Sequence, residues 1–69
     1  MTVLKINGTE KSFPETLPST LGELLEQMNV NAATVVAEID GEIIKKEDFN
    51  KTPLHEGQSI ELVRFVGGG

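Results

Sequence analysis

Sixty-nine residues, six Lys+Arg against eleven Asp+Glu, a net charge of −5 and no cysteine describe one small acidic domain. They exclude a disulfide framework, a thiolate metal centre, an internal thiol nucleophile and the basic face that nucleic-acid binding calls for. The single histidine, His55, cannot build a metal cluster alone, no apolar run approaches membrane length, and no signal-peptide pattern stands at Met1 to Ile6. No membrane association is expected, and the absence of cysteine fits a reducing cytoplasm.

Thr2 to Ile6 is β-rich, with Leu4 and Ile6 alternating toward one face. Val3 breaks the alternation, which suits a strand with partial burial on its second face. Asn7-Gly8 predicts a two-residue hairpin turn, because both residues tolerate positive φ. The returning strand is Thr9 to Phe13, with Phe13 as its core anchor. A loop with two prolines follows, Pro14 to Ser19.

Thr20 is the N-cap of a helix to about Met28, and Glu23 three residues on completes a capping box. Leu21, Leu24, Leu25 and Met28 fall at i, i+3, i+4 and i+7, one apolar stripe. Glu23, Glu26 and Gln27 take the wet side, which explains the two glutamates better than paired-carboxylate catalysis does. Gly22 weakens the first turn without a reason visible in the sequence. Asn29 or Asn31 can end the helix in the left-handed conformation.

Thr34 to Ile39 reads as a third strand, Asp40-Gly41 as a second hairpin turn, and Glu42 to Ile44 as a short fourth strand. Lys45 to Asn50 is polar apart from Phe49, a connector or single helical turn with Phe49 tucked under the domain. Lys45-Lys46 is surface charge. Thr52-Pro53-Leu54 continues the loop, and His55 sits beside a Glu56-Gly57 turn as a solvated residue.

Ser59 to Val66 is the last and longest strand. Gly67, Gly68 and Gly69 follow as a flexible tail without side chains, so the expected division is a domain over 1–66 and a tail over 67–69. Such a tail can thread a narrow channel and offers one chemical group, the α-carboxylate of Gly69. Val63, Phe65 and Val66 cannot all face one core on a period of two. Exposed apolar groups beside the tail read as a docking surface, with Arg64 and Val66 in the same stretch.

Hairpin, helix, hairpin, connector and strand make an α+β fold: a mixed sheet of four to five strands covered on one face by one helix. The last strand belongs beside the first. The expected core is Leu4, Ile6, Leu21, Leu24, Leu25, Met28, Ile39, Ile60 and Leu62. No phosphate-binding glycine loop and no nucleophile with a nearby base is present, so the chain reads as a substrate or carrier, not an enzyme.

Taken in order, several stretches resemble the ThiS family of ubiquitin-like, β-grasp sulfur carriers of thiamine biosynthesis. They are Lys5-Ile6-Asn7-Gly8, Thr20 to Leu25, Val36 to Ile44, Leu54 to Glu61, and Arg64-Phe65-Val66-Gly67-Gly68-Gly69. Ile44-Lys45-Lys46 departs from the proline-containing turn common in that family, and Phe49 stands where it often has tryptophan. The resemblance implies that an E1-like (ThiF-type) adenylating enzyme activates Gly69 with ATP. Sulfur from a donor such as a cysteine desulfurase would then make a thiocarboxylate, which a ThiG-type thiazole synthase would consume. No tightly bound cofactor is implied. A molybdopterin-type sulfur carrier, a ubiquitin-like modifier joined to lysines, and a plain binding module with inert glycines remain alternatives.

Overall fold

In the computed structural model, residues 2–14 and 16–64 are described. Two tight turns set the sheet. Asn7 and Gly8 stand at φ 52° and 82°, and Asp40 and Gly41 at 51° and 87°. Positive φ at both central residues is the primed turn that matches the twist of paired strands. The first joins β1 (Thr2–Ile6) to β2 (Thr9–Phe13), closing on the pair Ile6 and Thr9. The second joins β3 (Val35–Ile39) to β4 (Glu42–Ile44), closing on Ile39 and Glu42.

The helix α1 (Leu21–Gln27) starts where the capping pattern predicts. Thr20 is extended, and its Oγ1 accepts from the Glu23 N–H at 3.2 Å. The Glu23 carboxylate accepts from the N–H of Ser19 at 2.9 Å, one residue before the position a standard capping box would use. The helix ends on Asn29 at φ 58°. The Val30 N–H reaches the Leu25 carbonyl at 2.9 Å and the Asn29 N–H reaches that of Glu26 at 3.1 Å, a Schellman ending. Asn31 does other work: its Oδ1 accepts from the Ala33 N–H at 2.9 Å and caps a short 3-10 turn, Ala32–Thr34.

That turn takes Thr34 out of the third strand. The polar connector is longer than a single turn, a six-residue 3-10 helix at Lys46–Lys51, with Phe49 buried beneath it. The chain then enters β5 (Ser59–Arg64). The strand order is β2-β1-β5-β3-β4. β5 runs parallel to β1 through Lys5 with Ser59 and Ile6 with Ile60, and antiparallel to β3 from Ile39 with Ile60 to Val35 with Arg64. The last strand is therefore beside the first, as expected, and central because β3 takes its other side.

The core joins Leu21, Leu24 and Leu25 of α1 to the inward residues of the sheet, Leu4, Ile6, Val35, Ala37, Ile39 and Ile60. Phe13, Phe49 and Leu54 complete it. Met28 and Leu62, expected in the core, are half-buried at its margin. Val35, Ala37 and Leu54 enter it instead. Val35 and Ala37 share the inward face with Ile39, and Leu54, three residues beyond the connecting 3-10 helix, is buried with them.

Candidate functional site

β5 is the only strand with neighbours on both sides that also leads to the glycine end of the sequence. Val63 is 60% exposed and lies opposite Val36, itself 41% exposed, in a registered antiparallel pair. Directly opposed side chains share a face of the sheet. Val63 alternates with buried Ile60 and half-buried Leu62, so this pair stands on the face away from the helix. Ile43, 65% exposed, stands on the same face, since it pairs with Glu38 and Glu38 pairs with Glu61. Val36 and Val63 thus form an exposed apolar pair on this face, next to the pair Glu38 and Glu61, with Ile43 on the far side of Glu38.

Arg64 is exposed but pairs with buried Val35, so it belongs to the opposite, helix-side face. It borders a groove with Asn7, Met28, Val30, Val35 and Leu62. The expected docking group is therefore divided, with Val63 on the open face and Arg64 over the end of the helix. Phe65, Val66, Gly67, Gly68 and Gly69 lie outside the described residues. Val36 and Ile43 were missed as surface residues. The signal for them was present: adjacent pairs Val35-Val36 and Ile43-Ile44 cannot both face one core on a period of two.

Other candidates take structural roles. His55 is exposed, and its backbone N–H donates to the Gln58 Oε1 at 2.8 Å across the turn. Glu23 is engaged at the helix start. Among the described residues, no group of three or more His, Cys, Asp and Glu is placed to hold a metal, and no helix is long and apolar enough to cross a membrane.

A five-stranded mixed sheet around a parallel β1–β5 pair, packed on one helix, defines the ubiquitin-like β-grasp class. The crystal structure of a thiamine biosynthesis protein, ThiS, from Geobacter metallireducens superposes with a TM-score of 0.84 at 31% identity, covering 97% of this chain and 99% of that one. An NMR structure of a thiamine biosynthesis protein from the same organism gives 0.78 at 31% identity, covering 100% of this chain and 88% of that one.

The ThiS family model matches residues 3–69, and the chain belongs to that family. The sulfur carrier protein ThiS of Bacillus subtilis (strain 168) is 33% identical over 67 residues, 97% of this chain and 100% of that protein. A thiazole synthase of Paramagnetospirillum magneticum is 33% identical over 66 residues, 96% of this chain; the chain spans 20% of that protein's length.

Proposed function

We propose that this protein is a sulfur carrier of thiamine biosynthesis and that its cargo is held on the carboxyl carbon of Gly69. The observation that carries this reading is the family match, which runs through to Gly69 and so includes the glycine end. The coverage of the whole Bacillus subtilis carrier supports it.

The chemistry follows from the carboxylate. It is a poor electrophile, because attack would have to expel oxide. A carboxylate oxygen attacks the α-phosphorus of ATP and pyrophosphate leaves, giving an acyl-adenylate. A persulfide sulfur from the donor then adds to the carbonyl and AMP leaves, giving an acyl disulfide, and a thiol reductant supplies the two electrons that cleave its S–S bond and release the thiocarboxylate. An E1-like adenylating enzyme supplies the site and consumes the ATP, and a cysteine desulfurase is a suitable source of the sulfur. The protein itself is the carrier and co-substrate, working in the cytoplasm. Glycine suits this end: no Cβ crowds the phosphate or the incoming sulfur, and the backbone accepts whatever φ the enzyme imposes.

Thiazole synthase is the acceptor this reading favours. In the Paramagnetospirillum magneticum thiazole synthase, a segment like this chain belongs to the same polypeptide. That supports the thiazole branch over a pterin pathway or conjugation to lysines. The exposed Val36, Val63 and Ile43, together with Phe65 and Val66 in sequence, are the apolar surface for docking the adenylating enzyme.

The test is intact-mass analysis after incubation with ATP, the cognate adenylating enzyme and a sulfur donor. The expected result is exchange of one oxygen for sulfur, mapped to the C-terminal peptide. Deleting Gly69, or making Gly68→Val, should abolish it without unfolding the domain. Sulfur mapped elsewhere, or a deletion variant modified as well as the wild type, overturns the reading.

A further inference from the structure

We propose that Asn7 is a positioning residue for the reaction at Gly69, acting by clasping the end of β5 from which the glycine segment departs. The inference rests on the carrier reading above.

β5 is held unequally on its two sides. On the β3 side its pairing runs out to Arg64. On the β1 side the strand pairing stops at Ile6 with Ile60, because β1 turns back at Asn7-Gly8. The ladder on that side proceeds from Lys5 N–H to the Gln58 carbonyl at 3.0 Å and from Asn7 N–H to the Ile60 carbonyl at 2.8 Å. The next donor along β5 is the N–H of Leu62. The turn bends the main chain away there, and the side-chain Oδ1 of Asn7 takes this donor at 2.7 Å. The two residues are 55 apart in sequence. Asn7 thus adds one more rung after β1 has ended, and that rung is the last on this side before Arg64.

This gives Asn7 two separable roles. Its positive φ makes the hairpin turn, which Gly or Asp can also make. Its side-chain carbonyl fixes Leu62, which the turn does not require. Asp40, the matching residue of the second turn, repeats the arrangement at the other end of the strand. Its N–H donates to the Ser59 carbonyl at 2.8 Å and its Oδ1 accepts from the Ser59 N–H at 3.0 Å. The two turns therefore clasp β5 at its start and near its end, and of the two the Asn7 clasp is the one near Arg64, at the end of the strand that precedes the glycines in sequence. Order at the end of β5 is order that the adenylating enzyme need not impose on binding, so losing it appears in KM.

The experiment compares Asn7→Gly, Asn7→Asp and Asp40→Gly. Each keeps a residue suited to positive φ, and Asn7→Asp keeps the acceptor. For Asn7→Gly, the KM for this protein in the adenylation reaction should rise about 3- to 10-fold with kcat little changed, the size expected from loss of one hydrogen bond. Amide exchange at Leu62 should speed up, with that of Leu4 and Ile60 unaltered. Asn7→Asp should restore KM. Asp40→Gly should loosen the start of the strand and leave KM unchanged. An Asn7→Gly protein with wild-type KM overturns the role of Asn7 and leaves the carrier reading standing. Equal KM effects from Asp40→Gly also overturn it, since general loss of stability would then explain both. A wild type that is not adenylated at all overturns the carrier reading, and this role with it.

Discussion

A side-chain methyl on Gly22 would fall on the carboxamide of Asn50, with the Asn50 Cα 3.5 Å away. This is the reason for a glycine in the first turn of α1, where helix propensity alone argues against one. The 3-10 helix Lys46–Lys51 lies against the helix start, and glycine leaves room for the Asn50 side chain. Asn50 is exposed, so its amide can be displaced at modest cost.

A double-mutant cycle follows from that contact. In the Asn50→Ala background, Gly22→Ala should stabilise by about 0.5–1 kcal/mol, the helix-propensity gain of alanine over glycine. With Asn50 present, much of that gain should vanish, because the amide must move. Chemical denaturation of all four proteins measures the coupling. Additive effects would show that Asn50 does not set the preference for glycine.

Leu25→Ala should destabilise the domain by about 2–5 kcal/mol, the range for emptying a buried leucine site. Leu25 is 1% exposed within the main cluster. In a chain this short that is a large share of total stability, so the thermal midpoint should drop markedly. A loss below about 1 kcal/mol would contradict its central place in the core.

Thr20→Ala should cost about 1 kcal/mol through loss of the N-cap bond to Glu23. Thr20→Ser keeps the hydroxyl and should retain most of the stability. The Thr20 position also bridges to Pro53, and the Leu21 N–H is held by the Thr52 carbonyl at 2.9 Å. Those backbone contacts do not depend on the side chain. Denaturation curves that fail to separate serine from alanine would remove the cap from the account.

Val63→Ala and Ile43→Ala should each leave the domain folded, because both side chains are mostly exposed. Each should weaken binding to the adenylating enzyme severalfold, and Phe65→Ala by more, since aromatic residues often dominate such patches. Glu10→Ala, on the edge strand β2, serves as a control with unchanged affinity. Titration calorimetry reads all four. Val63 and Ile43 variants binding like the wild type would move the docking surface elsewhere.

What could be read from the sequence was local. Asn7-Gly8 and Asp40-Gly41 defined both hairpins, because few residue pairs accept positive φ at two successive positions. Thr20, Glu23 and the leucine stripe defined the helix, because capping and a period of 3.6 act within a few residues. The ordered set of stretches ending in glycines pointed to the family, which the match over residues 3–69 bears out. Tertiary structure decided what depends on partners far away in the chain. It put β3 on the other side of β5, chose Arg64 rather than Val63 for the helix side of the sheet, and buried Leu54. It also gave Gly22 its reason in Asn50 and gave the Asn7 side chain a partner in Leu62. A strand chooses its neighbours by burying a face and satisfying its ladder, and neither demand is written in the residues next to it.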